Sequence, residues 1–278
     1  MKIGLVLEGG AMRGMYTAGV LDVFLENGIE ADKIVGVSAG ALFGVNYLSK
    51  QNGRTIRYNK RFNRNKNYMG IRPFLKEGNF VNTKFAYEDV PKKLDPFDND
   101  TFKNSKADFY AVVTNVQTGK AEYIKVDDVF GQMDVLRASG SMPIVSKPVL
   151  INGKHYLDGG IADSIPFRWL SRQECDKIIV VLTRDASYRK GPAPKFTIWK
   201  LKKYPKIAKK MKERHENYNS SLEELKTLEE SGNAFVIQPS EPIKIGRLER
   251  NPGKLQMVYE LGRKDGEEKL KELKQYLK

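Results

Sequence analysis

The chain has 278 residues, of which 40% are hydrophobic and 29% charged, with a formal net charge of +14. That length and balance fit a soluble globular protein with a sizeable core, and Cys175, the single cysteine, excludes an internal disulfide and a cysteine-rich metal site. No apolar run approaches the ~18–20 residues of a membrane span, and the start, MKIGLVLEGG, reads as a strand rather than a signal peptide. A cytoplasmic protein is the expectation.

Short β-type runs alternate with helical patterns. KIGLVLE (Lys2–Glu8) and KIVGVS (Lys33–Ser38) read as buried strands, with a helix from about Arg13 to Asn27 between them and another from Ala39 to about Ser49. The segment Lys50–Asp100 is polar and basic with scattered Tyr and Phe, and predicts an insertion of loops and short helices beside the sheet. FYAVVTNV (Phe109–Val116) reads as a third strand, and AEYIKV follows closely enough to pair with it as a hairpin. PVLINGKHYLDGG carries Asn-Gly between two β-type runs, a strong hairpin signal. KIIVVLT (Lys177–Thr183) and AFVIQPS (Ala234–Ser240) complete the strands.

Residues 195–278 read as mainly helical. From Ile198 to Leu228 apolar residues recur at three- and four-residue steps, predicting one long amphipathic helix with a break expected near Pro205. The C-terminus predicts two short helices interrupted at Gly262 or Gly266. No repeat, linker or low-complexity tract divides the chain, so a single domain over 1–278 is expected. Its fold class is α/β: a three-layer α/β/α sandwich around a mostly parallel sheet, made mixed by hairpins at one side.

The positive charge is concentrated. Lys50 to Lys76 holds nine Lys/Arg, and Arg189 to Lys212 holds ten, with no acid in either run. These read first as solvated basic faces, although such fields attract phosphates and make nucleic acid or an anionic membrane surface candidate partners. No helix-turn-helix, zinc spacing or aromatic RNA-binding signature accompanies them, so a non-enzymatic binder of nucleic acid rests on charge alone.

Three motifs carry chemistry. In Gly36-Val37-Ser38-Ala39-Gly40 a serine stands at a strand-to-helix corner, and the flanking Gly36 and Gly40 give room for the sharp turn that exposes a nucleophile. The glycine-rich loop LEGGAMRG (Leu7–Gly14) opens a helix and leaves backbone N–H groups free for a phosphate or an oxyanion. As a dinucleotide fingerprint it fails, because Ala11 replaces the middle glycine and the second strand ends in Ser38 rather than an acid. LDGGIADSIP (Leu157–Pro166) places Asp158 at a strand end before Gly159 and Gly160. A serine nucleophile needs a base. Of the two histidines, His155 is three residues from Asp158 on one strand and so points to the opposite face, and His215 stands in a basic helix without a motif. Asp158 remains.

In this order, EGGAMRG, GVSAG and DGG resemble the patatin-like phospholipases, as does ASGSMPIVSKPV (Ala138–Val149) before the aspartate. The motifs span residues 8–166. The resemblance implies a patatin-like fold and a serine acyl hydrolase acting on acyl esters of lipids through a Ser38–Asp158 dyad without histidine, cofactor or metal. It implies an oxyanion hole from the N–H groups of Gly9, Gly10 and Ala11, with Ala39 as a further donor. Arg13 is expected to brace the loop, and Gly14, Gly36, Gly40, Gly159 and Gly160 to support the motifs. The chain departs from the family at Ala11, where a third glycine is usual; the N–H survives, and only a positive φ there would carry a cost. Phe196, Trp199 and Tyr204, among Lys200, Lys202, Lys203, Lys206 and Lys209, are a candidate contact with an anionic membrane.

Overall fold

The computed structural model describes all 278 residues. β1 (Ile3–Leu7) leads through a 3₁₀ turn at Ala11–Gly14 into α1 (Met15–Glu26), and β2 (Lys33–Val37) runs into α2 (Ala39–Leu48). The predicted insertion contains α3 (Arg54–Phe62), α4 (Ile71–Glu77), a π-helical segment (Phe85–Leu94) and α5 (Asn99–Lys103). β3 (Asp108–Asn115) and β4 (Ala121–Lys125) form the first hairpin; α6 (Met133–Ser139) precedes the second, β5 (Val149–Ile151) and β6 (Lys154–Asp158). Then come α7 (Phe167–Leu170), β7 (Lys177–Val181), α8 (Lys195–Lys200), α9 (Pro205–Glu230), β8 (Phe235–Ile237) and α10 (Pro252–Tyr276).

β3, β2, β1, β7 and β8 pair in parallel, and β4, β5 and β6 add antiparallel strands on the β3 side of an eight-stranded sheet. Strand alternation builds the layers. Leu5, Leu7, Ile34, Phe109, Ile179 and Val181 join a core with α1, α2 and α10. Val6, Val35, Val37, Val112 and Val180 point the other way and pack with α7 and α9. The α/β sandwich with a mostly parallel sheet is therefore as the sequence predicts.

The register at β3 sets up the site. β2 pairs with β3 as far as Val37 opposite Val112, while β4 covers Tyr110–Thr114 and so must occupy the other edge. β6 pairs with Val113–Asn115, which overlaps β4, so it shares the edge of β2. Because Asp158 lies opposite Val113, the end of β6 abuts the end of β2.

The helix predicted from Ile198 to Leu228 breaks where expected, near Pro205, into α8 and α9, with Pro205 at the first turn of the second, where its missing N–H has no cost. Two expectations are corrected. The C-terminal pair of helices is one, α10, unbroken through Gly262 and Gly266. Those glycines allow close approach instead: a Cβ at Gly262 would overlap the carbonyl oxygen of Tyr16 on α1, and one at Gly19 would overlap that of Tyr259. Backbone cannot yield as a side chain can, so Gly262→Ala is expected to cost about 2–3 kcal/mol of stability, read as a lower urea midpoint. An unchanged midpoint would show that the two helices separate freely. Finally, the first basic run is not simply a solvated face. Arg54 is buried against Asp95, with N–O 3.2 Å, and donates to Asn46 Oδ1 at 2.7 Å.

Candidate active site

At the sharp turn from β2 into α2, Ser38 has φ 52° and ψ −117°, a conformation costly for a residue with a side chain. Two features hold it there. A Cβ at Gly40 would collide with the carbonyl oxygen of Leu7, and one at Gly36 would lie 2.7 Å from the backbone of Ala41, so only glycine admits the close contact of turn, helix and β1. The Ser38 N–H donates to Oγ of the buried Ser139 on α6 at 2.9 Å. α2 points the positive end of its dipole at the serine.

Asp158 closes β6 and is 6% exposed. Its N–H donates to the Ser141 carbonyl at 2.9 Å, its own carbonyl accepts from Thr114 Oγ1 at 2.8 Å, and its Oδ1 accepts the Gly160 N–H at 2.8 Å. Gly159 lies on β3, where a Cβ would overlap the Val112 carbonyl oxygen. Burial pushes the Asp158 carboxyl above its ordinary value; the neighbouring Ser38 hydroxyl and the charge of Arg214 pull it back part of the way. Thus the end-to-end meeting of β2 and β6 brings the two predicted residues together.

In the glycine-rich loop, the N–H groups of Gly9, Gly10 and Ala11 donate to no protein acceptor. These three residues line one cavity with Ser38 and Asp158. Gly14 lies outside that cavity, packed against Ala39 and Phe43. Ala11 has φ 49°, the one circumstance that makes its methyl group costly. Relief of a left-handed alanine, about 1–2 kcal/mol, outweighs the extra freedom of glycine in the unfolded chain. Ala11→Gly is therefore expected to stabilise the fold by about 0.5–1 kcal/mol, measured as a raised Tm. A fall in Tm would show instead that the methyl group packs usefully.

Arg13, expected to brace the loop, makes no side-chain hydrogen bond to it; it is 7% exposed, its Nε has no partner, and it faces the same cavity. The loop is held from behind by Glu8. That carboxylate accepts from the Thr183 N–H at 2.6 Å, from Thr183 Oγ1 at 3.1 Å and from the Tyr218 hydroxyl at 2.7 Å.

Two cavities meet at Ser38. The first, of about 140 Å3, is mostly apolar and is walled by Leu42, Phe43, Tyr68, Met69, Val90 and Leu136. Several of these come from the region read as a polar insertion. The second, of about 290 Å3, holds the glycine loop and Asp158 and adds Lys190, Arg214 and Arg247, which sequence reasoning missed. They come from separate segments in lysine-rich surroundings and carry no local motif. Both cavities share Ala11, Ser38, Met142, Arg247 and Leu248. His155 is exposed on β6, and His215 sits 2.9 Å from the Lys212 carbonyl; neither lines either cavity.

Residues 5–170 match the model described as patatin-like phospholipase, and residues 204–278 match a domain of unknown function, DUF6363. The uncharacterized protein YjjU of Escherichia coli is 30% identical over 66% of this chain and 52% of its own length. Neuropathy target esterase sws of Drosophila grimshawi is 28% identical over 59% of this chain, and lysophospholipase nte1 of Emericella nidulans 26% over 64%. The chain spans about half the length of the first relative, and the matches cover 11% and 12% of the other two. VipD of Legionella pneumophila aligns over 98% of this chain and 67% of its own at 13% identity and a TM-score of 0.47. The match over residues 5–170 covers the glycine loop, the serine turn and the Asp-Gly-Gly strand end, and the chain belongs to the patatin-like phospholipase family.

Proposed function

We propose that the chain is a serine acyl hydrolase that cleaves acyl esters of lipids, with Ser38 as nucleophile and Asp158 as base. The observation that carries this reading is the place of Ser38: beside a buried carboxylate, before three unpaired N–H groups, and at the junction of an apolar and a polar cavity. An acyl chain fits the first cavity and the polar remainder of a lipid the second, which sets the ester at Ser38. Asp158 takes the hydroxyl proton as Oγ attacks the carbonyl carbon, and the N–H groups of Gly9, Gly10 and Ala11 stabilise the oxyanion. Collapse expels the alcohol, which recovers the proton from Asp158. Water, deprotonated by the same carboxylate, then attacks the acyl-serine; as the bond to Oγ breaks, Asp158 returns that proton to Ser38 and the fatty acid leaves. Hydrolysis of a chromogenic fatty-acyl ester, with fluorophosphonate labelling mapped to the Ser38 peptide, tests the reading. Labelling at a different serine would remove it.

Access to such substrates points to a membrane face. No helix is long and apolar enough to cross a membrane. Phe196 and Trp199 are 62% and 56% exposed, their rings stacked at 5.9 Å, and they flank Thr197, which lines the polar cavity. Ile144, at φ 76°, lies on the rim of that cavity, and its loop is tied to the end of α4 by Phe80 N–H to the Val145 carbonyl at 2.8 Å. α4 exposes Ile71 and Leu75. Tyr204, expected among the membrane-facing aromatics, instead packs inward beside Leu201 and Ile207. Lysines near an anionic surface contribute about 1 kcal/mol each, and interfacial aromatics add insertion. Co-sedimentation with anionic vesicles at low salt, lost at high salt and in Phe196→Ala/Trp199→Ala, is the expected result. Equal binding to neutral vesicles would remove this face from the proposal.

A further inference from the structure

The polar cavity carries more positive charge than the hydrolysis of an ester requires. Arg13, Lys190, Arg214 and Arg247 all line it, and none has a carboxylate oxygen within 4.0 Å. The acid behind them, Glu8, is buried and already saturated by Thr183 and Tyr218. Arg13 is more than nine-tenths buried with an unpartnered Nε. Arg214 is anchored by the Gly160 carbonyl and by Ser164 Oγ at 3.3 Å. Lys190 is fixed through its backbone, which donates to Asn219 Oδ1 at 2.8 Å and accepts from Asn219 Nδ2 at 3.1 Å. Its ammonium rests 3.9 Å from the centre of the Tyr218 ring. These cations disfavour one another. Arg13 is lowered to about 10 by burial and then by Arg184, and Lys190 to about 7 by burial and then by Arg214. With Arg13 buried, Arg214 and Lys190 anchored, and no carboxylate in direct contact with any of the four, the cations converge on a site suited to an anion.

We infer that the polar cavity binds the phosphate of the substrate's headgroup, and that the enzyme selects lipids whose acyl ester lies close to a phosphate monoester over zwitterionic ones. The inference rests on the reading of Ser38 as nucleophile, which sets the ester between the two cavities. A phosphate monoester brings about two negative charges to three arginines, Lys190 and Asp158. A phosphocholine headgroup brings one and adds an ammonium to an already positive cavity. Part of this selectivity comes from outside the matched patatin region, since Lys190, Arg214 and Arg247 all follow residue 170.

Two measurements test it separately from hydrolysis itself. In the first, Ser38→Ala protein, which cannot turn over, is titrated calorimetrically with glycerol 3-phosphate and with inorganic phosphate. Saturable binding of glycerol 3-phosphate is expected, weakened about tenfold by adding Lys190→Gln or Arg247→Gln, as befits loss of one charge-assisted contact, and unchanged by Lys274→Gln on the far end of α10. In the second, kcat/KM is compared for lysophosphatidic acid and lysophosphatidylcholine of the same acyl chain. At least a tenfold preference for the acid is expected, falling several-fold in Lys190→Gln. Binding that Lys190→Gln and Arg247→Gln leave untouched would overturn the inference, since the anion would then sit on the loop N–H groups. Inorganic phosphate binding more tightly than glycerol 3-phosphate, with equal rates on the two lipids, would overturn it in favour of a free-phosphate site. If no ester is hydrolysed, the nucleophile assignment fails while the calorimetry still decides whether the cations hold a phosphate.

Discussion

Ser38→Ala is expected to lower kcat on an acyl ester by about 10^4- to 10^6-fold, with the fold intact and fluorophosphonate labelling abolished. The size follows from the lack of a substitute. No other hydroxyl lies at the junction of the two cavities beside both a carboxylate and the unpaired N–H groups of Gly9, Gly10 and Ala11. What remains in the variant is ester polarisation by that loop, worth some activity over water but no acyl-enzyme. The variant should not lose stability, because alanine at φ 52° is no more strained than serine and the bond to Ser139 uses the backbone N–H. Mass spectrometry after a single-turnover mix checks the absent acyl adduct. Persistence of the adduct would place the nucleophile elsewhere.

Asp158→Asn is expected to reduce kcat by about 10^3- to 10^4-fold while keeping KM within a few-fold, because the isostere retains the Gly160 contact but cannot accept a proton. The pH profile adds a second reading. Burial raises the Asp158 carboxyl, so the base protonates at a higher pH than an exposed aspartate, and kcat/KM falls through that raised value as the medium is acidified. The sign for stability is opposite. Between the ordinary and the raised value the folded chain binds the proton better than the unfolded chain, so this group's contribution to stability falls as pH rises and is at its worst at neutral pH. Asp158→Asn should therefore keep or raise Tm at pH 7 even as it removes activity. His155→Gln and His215→Gln serve as controls, since both lie outside the cavities; a collapse of activity in either would replace the dyad by a triad.

Much of this was legible because local pattern and local structure coincide. The alternation of Leu5, Val6 and Leu7 reports a strand buried on both faces, and the same alternation places His155 away from Asp158, as observed. Gly36 and Gly40 mark the serine turn for a reason that holds before any partner is known. Gly262 was misread because a lone glycine in a helix signals a break until the opposing Tyr16 carbonyl is in view. Tyr68, Met69 and Val90 showed no period because they come from a turn and a π-helical segment rather than one regular element, yet they wall the apolar cavity. The cationic cavity was illegible for a related reason. Arg13, Lys190, Arg214 and Arg247 become neighbours only through tertiary packing, and each looks alone like one more surface charge in a basic protein.

The shared edge of β3 also orders events in time. Ser38 is synthesised 120 residues before Asp158, and the two meet only when β6 returns antiparallel onto the end of β3 that β2 leaves open. Closing that long loop is an entropically late step compared with the local pairing of β3 and β4. A nascent or partly folded chain therefore carries a serine without its base. On the proposed mechanism, acyl transfer begins only once β6 has joined β3, so the hydrolytic site is absent from the chain while it is being made.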